Sequence, residues 1–225
     1  MKTSNDKRYR LPIYLCTVAL ACVISASAGT IYGNGPANGN VDAWSINLGG
    51  SISNSFTLPY LEHPYTLQGF DFVVWMLPAD TMSTVDWALT SAPFGGTTYL
   101  SGTNTVVTQT SLGSNIYGFD LNLETFTLPD FLLPTGTYWF QLQNAVAPSG
   151  DPVYWDQNDG PSQAFDSVMG DLSVAGPGLG APCTGNCTFS ESFDALGHAP
   201  EPAGFVLMGT GLVSVAALLR RRNTR

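Results

Sequence analysis

Between Leu11 and Leu219 the chain has no lysine and no arginine, because all eight basic residues lie in residues 1–10 or 220–225. Histidine is almost missing too, with only His63 and His198. Of the 17 acidic residues, by contrast, all but Asp6 and Glu201 fall within residues 29–199. A stretch with that balance repels phosphate backbones and lacks the basic patch that draws anionic lipid, so nucleic acid is excluded as a partner. No cationic side chain is on hand to stabilise a developing oxyanion, and neither His stands in a Ser-His-Asp or Cys-His arrangement. The sequence is therefore read as that of a protein that is not an enzyme. Cysteine is scarce as well: Cys16 and Cys22 lie near the start, leaving Cys183 and Cys187 in a Gly/Pro-rich stretch. That spacing is not the redox C-x-x-C, and with no nearby His it is a poor zinc site, so Cys183 and Cys187 are read as a candidate disulfide.

What is present is concentrated at the ends. Residues 1–28 carry Lys2, Lys7, Arg8 and Arg10, an apolar stretch from Leu11 to Ile24, and Ala26-Ser27-Ala28, the three parts of a secretory signal peptide cleaved after Ala28. A competing reading takes Ala19-Leu20-Ala21-Cys22 as a lipobox, with Cys22 acylated. At the other end, Ala203–Leu219 has no charged residue and would span roughly 26 Å as a helix, against a hydrocarbon core of ~30 Å. Arg220, Arg221 and Arg222 follow it as a stop-transfer cluster. Both basic clusters hold their ends in the cytoplasm, which predicts residues 29–199 outside the cytoplasmic membrane.

Pro200-Glu201-Pro202, then the apolar run, then the Arg cluster resembles the PEP-CTERM sorting signal of bacterial secreted proteins. The resemblance covers residues 200–225 and is silent about the rest of the chain. It implies an exosortase-like processing enzyme as a partner and cutting near the motif. It also implies passage through the cytoplasmic membrane to the cell surface or an exopolysaccharide matrix. On this reading the chain divides into a signal peptide (1–28), an ectodomain (29–193), a flexible linker (194–199) and the sorting signal (200–225), with its transmembrane segment at 203–219 and a basic tail at 220–225. The expected role is structural or adhesive.

The ectodomain itself reads as all-β, a β-sandwich or jelly roll. Period-two alternation places Val85, Trp87 and Leu89 on one face of a strand, and Phe70, Phe72, Val74 and Met76 on one face of another. Tyr138, Phe140 and Leu142 form a third series. A fourth has Tyr117, Phe119, Leu121 and Leu123 facing in, with Asp120, Asn122 and Glu124 facing out. Further strands are expected at 41–48, 52–58, 105–110, 151–156, 163–168 and 187–193. No repeat of fixed period supports a propeller or solenoid.

Two constellations carry possible chemistry. Asp156, Asn158 and Asp159 are oxygen donors in close sequence, a candidate calcium site, although Gly160 stands where an EF-hand loop needs Asp or Asn. The alternative is a polar turn whose side chains bond their own backbone. Trp75, Trp139 and Trp155 form a candidate carbohydrate platform, with Trp75 and Trp139 opposite their strands' main apolar series; packing under loops is the competing role. A polysaccharide-binding module, assisted by calcium, is thus the alternative function. A glycoside hydrolase built on a carboxylate pair is the third.

Overall fold

A computed structural model describes residues 29–168, 170–171 and 189–200. The signal peptide, the Cys183/Cys187 pair, Glu201, Pro202, the apolar run 203–219 and the Arg220–Arg222 cluster lie outside the described residues. Among the described residues the chain is all-β, in two antiparallel sheets.

The first sheet is organised around β4 (Tyr65–Met76), which pairs along its whole length with β8 (Asp120–Leu133). Outside β8 runs β7 (Thr108–Ser114). On its other side β4 has two successive neighbours. Its first part pairs with β14 (Phe193–His198), which carries β1 (Gly29–Gly33) beyond it. At its far end, Val74 and Trp75 pair with β10 (Tyr154–Asn158), which carries β2 (Asp42–Ser45). The two neighbours diverge, and β13 (Ser190–Glu191) fills the fork between them by pairing with β10. The second sheet runs β12 (Gly170–Asp171), β11 (Ala164–Asp166), β3 (Ser51–Leu58), β9 (Gly136–Val146), β5 (Thr84–Ala92) and β6 (Gly95–Val106). At one margin the sheets are joined directly, by a bond from the Ala164 N–H to the Phe189 carbonyl.

The inward series of β4, β5 and β9 are those the alternation predicts. Phe70, Phe72, Val74 and Met76 from the first sheet meet Val85, Leu89, Phe140 and Leu142 from the second in one core, all fully buried. Phe70 and Phe140 stack across it, centroids 4.1 Å apart and planes within 6°. Each such side chain contributes about 1.5–3 kcal/mol by leaving water.

Two expectations are corrected. Residues 194–199 are not a linker over most of their length, because Asp194–His198 belong to β14, paired on both sides. The run Phe193-Asp194-Ala195-Leu196 alternates as a strand should, but Gly197 and the neighbouring Pro-rich tail masked it. Second, the facing of the strand around 117–124 is reversed. Phe126 lies opposite Phe70, Glu124 opposite Phe72 and Asn122 opposite Val74, and directly opposed residues share a face. Asn122 and Glu124 therefore point inward and are buried, while Leu121 and Leu123 lie on the outer face. Alternation misleads there because the outer face is covered as well. Gly39, with φ of 62°, lies so close to Leu121 that a β-carbon would sit 2.5 Å from its Cδ1. Tyr117 and Phe119, which lie in the turn before β8, pack on Trp75 from the same side.

Candidate functional site

The densest polar construction lies at the fork of the first sheet, where neighbouring strands β2, β10 and β13 carry Asp42, Asp156 and Glu191, all three buried. Asp42 and Glu191 are both directly opposite Gln157, one on each side, so the three side chains share a face of the sheet. Asp156, one residue back along β10, points to the other face. There its carboxylate accepts the Trp75 indole N–H at 2.6 Å and the Gly39 and Asn38 backbone N–H groups at 3.0 and 3.3 Å. Burial drives its pKa up and these donors oppose that, leaving it at about 6. Glu191 is treated differently: neither carboxylate oxygen has a hydrogen-bond partner. Burial first, then the nearby Asp156 and Asp42 carboxylates, push it well above the ordinary range. A carboxyl in that position is held as the neutral acid.

Asn34 closes the fork. Its side-chain amide donates to the Ser190 hydroxyl and the Glu191 carbonyl, both at 2.5 Å. Asn158 in turn donates to the carbonyls of Asn34, Gly35 and Pro36, at 2.7, 3.1 and 3.3 Å, while its own Oδ1 accepts the Gly160 N–H. The three calcium candidates are placed by these contacts. Asp156 is surrounded by donors, Asn158 spends its oxygen on Gly160, and the side chain of Asp159 is exposed, so the three are not brought together as ligands. Among the described residues no group of three or more His, Cys, Asp and Glu is placed to hold a metal ion.

The aromatic candidates also separate. Trp75 and Trp155 are fully buried, Trp75 under Tyr117 and Phe119, Trp155 in the core with its indole N–H on the Ser192 carbonyl at 2.8 Å. Trp139 lies on the second sheet, half-buried and edge-on to Phe165. No shared surface is formed by the three, and sugar stacking would rest on Trp139 without Trp75 or Trp155.

Two further carboxylate sites were not visible from residue order. Glu124 faces the core with both oxygens unpartnered, beside the equally unpartnered Asn122 side-chain nitrogen, and burial lifts it to about 8. Asp71 of β4 is directly opposite Asp194 of β14 on the outer face. Burial, and then the Asp194 charge, raise Asp71 to about 6; Asp194 is raised too, by burial, and accepts a long bond from the Thr30 hydroxyl. Each carboxyl therefore resists ionisation, Asp71 the more for facing a like charge. The meeting of Asp71 with Asp194 depends on strand pairing across more than half the chain, which no local pattern announces.

What these sites have in common is a carboxyl whose pKa is raised chiefly by burial. With no Lys or Arg from Leu11 to Leu219, a proton is the counter-charge the chain itself can supply to a buried acid, His63 and His198 apart. No family model, curated protein or solved structure matches this chain.

Proposed function

We propose that this is an exported protein with a structural or adhesive role at the cell surface or in an exopolysaccharide matrix, its two sheets forming a β-sandwich of the jelly-roll kind. The reading places a cleaved signal peptide before Gly29 and a PEP-CTERM-like signal, handled by an exosortase-like enzyme, after Ala199. The observation that carries it is the order Pro200-Glu201-Pro202, Ala203–Leu219, Arg220–Arg222, set directly behind a strand, β14, that is locked into the first sheet. The polar groups inside the domain favour a structural role, since Asp156, Asn34 and Asn158 spend their hydrogen bonds on holding strands and loops together. Expression in the source cells, followed by fractionation, tests it. Replacing Pro200, Glu201 and Pro202 by Ala should trap the full-length chain in the membrane, and unchanged release would remove the sorting reading.

A second reading, glycoside hydrolysis, draws on Asp71 and Asp194. The two are directly opposed on the outer face of the first sheet, a pair of carboxyls of the kind such hydrolysis requires. Turnover of a polysaccharide panel that Asp194→Asn abolishes would establish it; a wild type inert on that panel discards it.

A further inference from the structure

Both ends of the described domain leave from the same end of the first sheet. Gly29, which opens β1, is paired with Gly197, and His198, which closes β14, is paired with Thr66 near the start of β4. Thr66 is paired on its other side with Leu132, so His198, Thr66 and Leu132 form one row across three strands. The connection from β3 to β4 lies at this end too, and it presents Tyr60, 80 % exposed, and Leu61, 37 % exposed; Leu132 is 64 % exposed. The loop is tied down, because the Tyr65 hydroxyl donates to the Pro59 carbonyl at 3.1 Å. From His198 the apolar run begins at Ala203, a reach of at most about 18 Å even when fully extended.

We infer that this end of the domain rests on the lipid surface that its own tail enters, with Tyr60, Leu61 and Leu132 as the contacts. The inference rests on reading Ala203–Leu219 as a membrane segment. A side chain held that near a bilayer meets it at high effective concentration, so modest contacts suffice. Tyrosine, with an apolar ring and a polar tip, is suited to the headgroup level, and leucine side chains to the acyl boundary just below. The lipid must be zwitterionic in character: Glu62 sits beside Tyr60 and Leu61, no Lys or Arg is at hand, and an anionic surface would repel the domain. The consequence is an orientation in which Pro200-Glu201-Pro202 is held at the water boundary of the membrane, within reach of a membrane-embedded enzyme.

The opposite end of the sheets provides the control. Leu48 and Ile116 are 73 % and 78 % exposed, as apolar as the proposed contacts, but Leu48 lies before the start of β3 and Ile116 before β8 pairs with the far end of β4. The full chain is placed in phosphatidylcholine nanodiscs doped with a photoactivatable phosphatidylcholine, and cross-linked peptides are mapped after chymotryptic digestion. Cross-links are expected in 203–219, in 59–65 and in 128–135, and not in 112–119. Replacing Tyr60 and Leu132 together by Asp should lower the yield in 59–65 about tenfold, the loss of one decade in affinity, with 203–219 unchanged. Cross-links confined to 203–219, or as strong in 112–119 as in 59–65, overturn the docking while leaving the anchor intact. An absence from 203–219 overturns the anchor and the inference with it.

Discussion

Phe70 in the core and Trp75 at the fork lie a few residues apart along β4, and they and their partners Phe140 and Asp156 are equally dry, yet the two pairs are held by different forces. In the core the rings stack at 4.1 Å and nothing polar is asked of them. At the fork a carboxylate is buried among an indole and two backbone N–H groups. The first kind of burial is non-directional and indifferent to pH. The second is directional, costs a great deal if a partner is lost, and changes with protonation. The difference teaches that this domain, which has no lysine or arginine to neutralise its buried acids, concentrates its pH response in a few identifiable residues.

The largest expected effect is on the core side of the comparison. Phe140→Ala removes a ring that touches Phe70, Phe72, Trp155 and Phe193, and should cost about 3–5 kcal/mol, the range for aromatic truncation in a packed core. Guanidinium unfolding followed by tryptophan fluorescence measures it, and the loss should be the same at pH 5 and pH 8. A loss that varied with pH would mean that core and fork are coupled.

On the fork side, Trp75→Phe keeps an aromatic ring beneath Tyr117 and Phe119 but removes the indole donor to Asp156. The expected cost is about 1.5–3 kcal/mol, that of one hydrogen bond to a charged group, since the Gly39 N–H stays on the same oxygen. Because the lost bond stabilises the charged form, the Asp156 pKa should also move upward from about 6. Carboxyl titration by carbon-13 NMR would register that shift, and an unmoved Asp156 would show that the indole bond contributes nothing.

How much of this was legible in residue order depends on which face of a strand is considered. The inward series of β4, β5 and β9 are readable because long apolar runs alternate with polar residues at period two. Strand β8 reads backwards for a physical reason: on its outer face Gly39 lies against Leu121 and Tyr117 and Phe119 cover the neighbouring Trp75, while Glu124 is carried inside by the register of Phe126 on Phe70. Alternation marks two faces but does not say which is the core when both are covered. Asp156 and Asn158 stand out in residue order as a chemically loaded stretch. Their partners, Trp75, Gly39, Asn34 and Glu191, come from three other parts of the chain and could be assigned only once strand pairing was known.

The smallest effects, per unit of pH, separate the buried acids from one another. Glu124 and Glu191 have raised pKa values in the fold, Glu124 at about 8 against 4.5 in an open chain. The folded state then binds more protons than the unfolded one between those values, so stability falls as pH rises. The contribution of Glu124 is fully present below about pH 4.5 and is lost as pH climbs to about 8; Asp71 and Asp156 add to the decline between 3.8 and about 6. Asp120, on the surface, is lowered by bonds from the Ser114 hydroxyl and the Ala79 N–H and acts weakly in the opposite sense. Each proton taken up on folding is worth about 1.4 kcal/mol per pH unit. Unfolding midpoints measured from pH 4 to pH 9 should therefore fall steadily, where many proteins are most stable between about pH 5 and 8. Glu124→Gln keeps the volume and stays neutral throughout. It should be near neutral at pH 5, stabilising at pH 8, and should lower the slope by up to about 1.4 kcal/mol per unit in between. Glu191→Gln should act in the same sense from across β4, and the two should add because their sites share no partner. A slope left intact by both substitutions would mean that neither acid is the proton store, and that the fork is as indifferent to pH as the core.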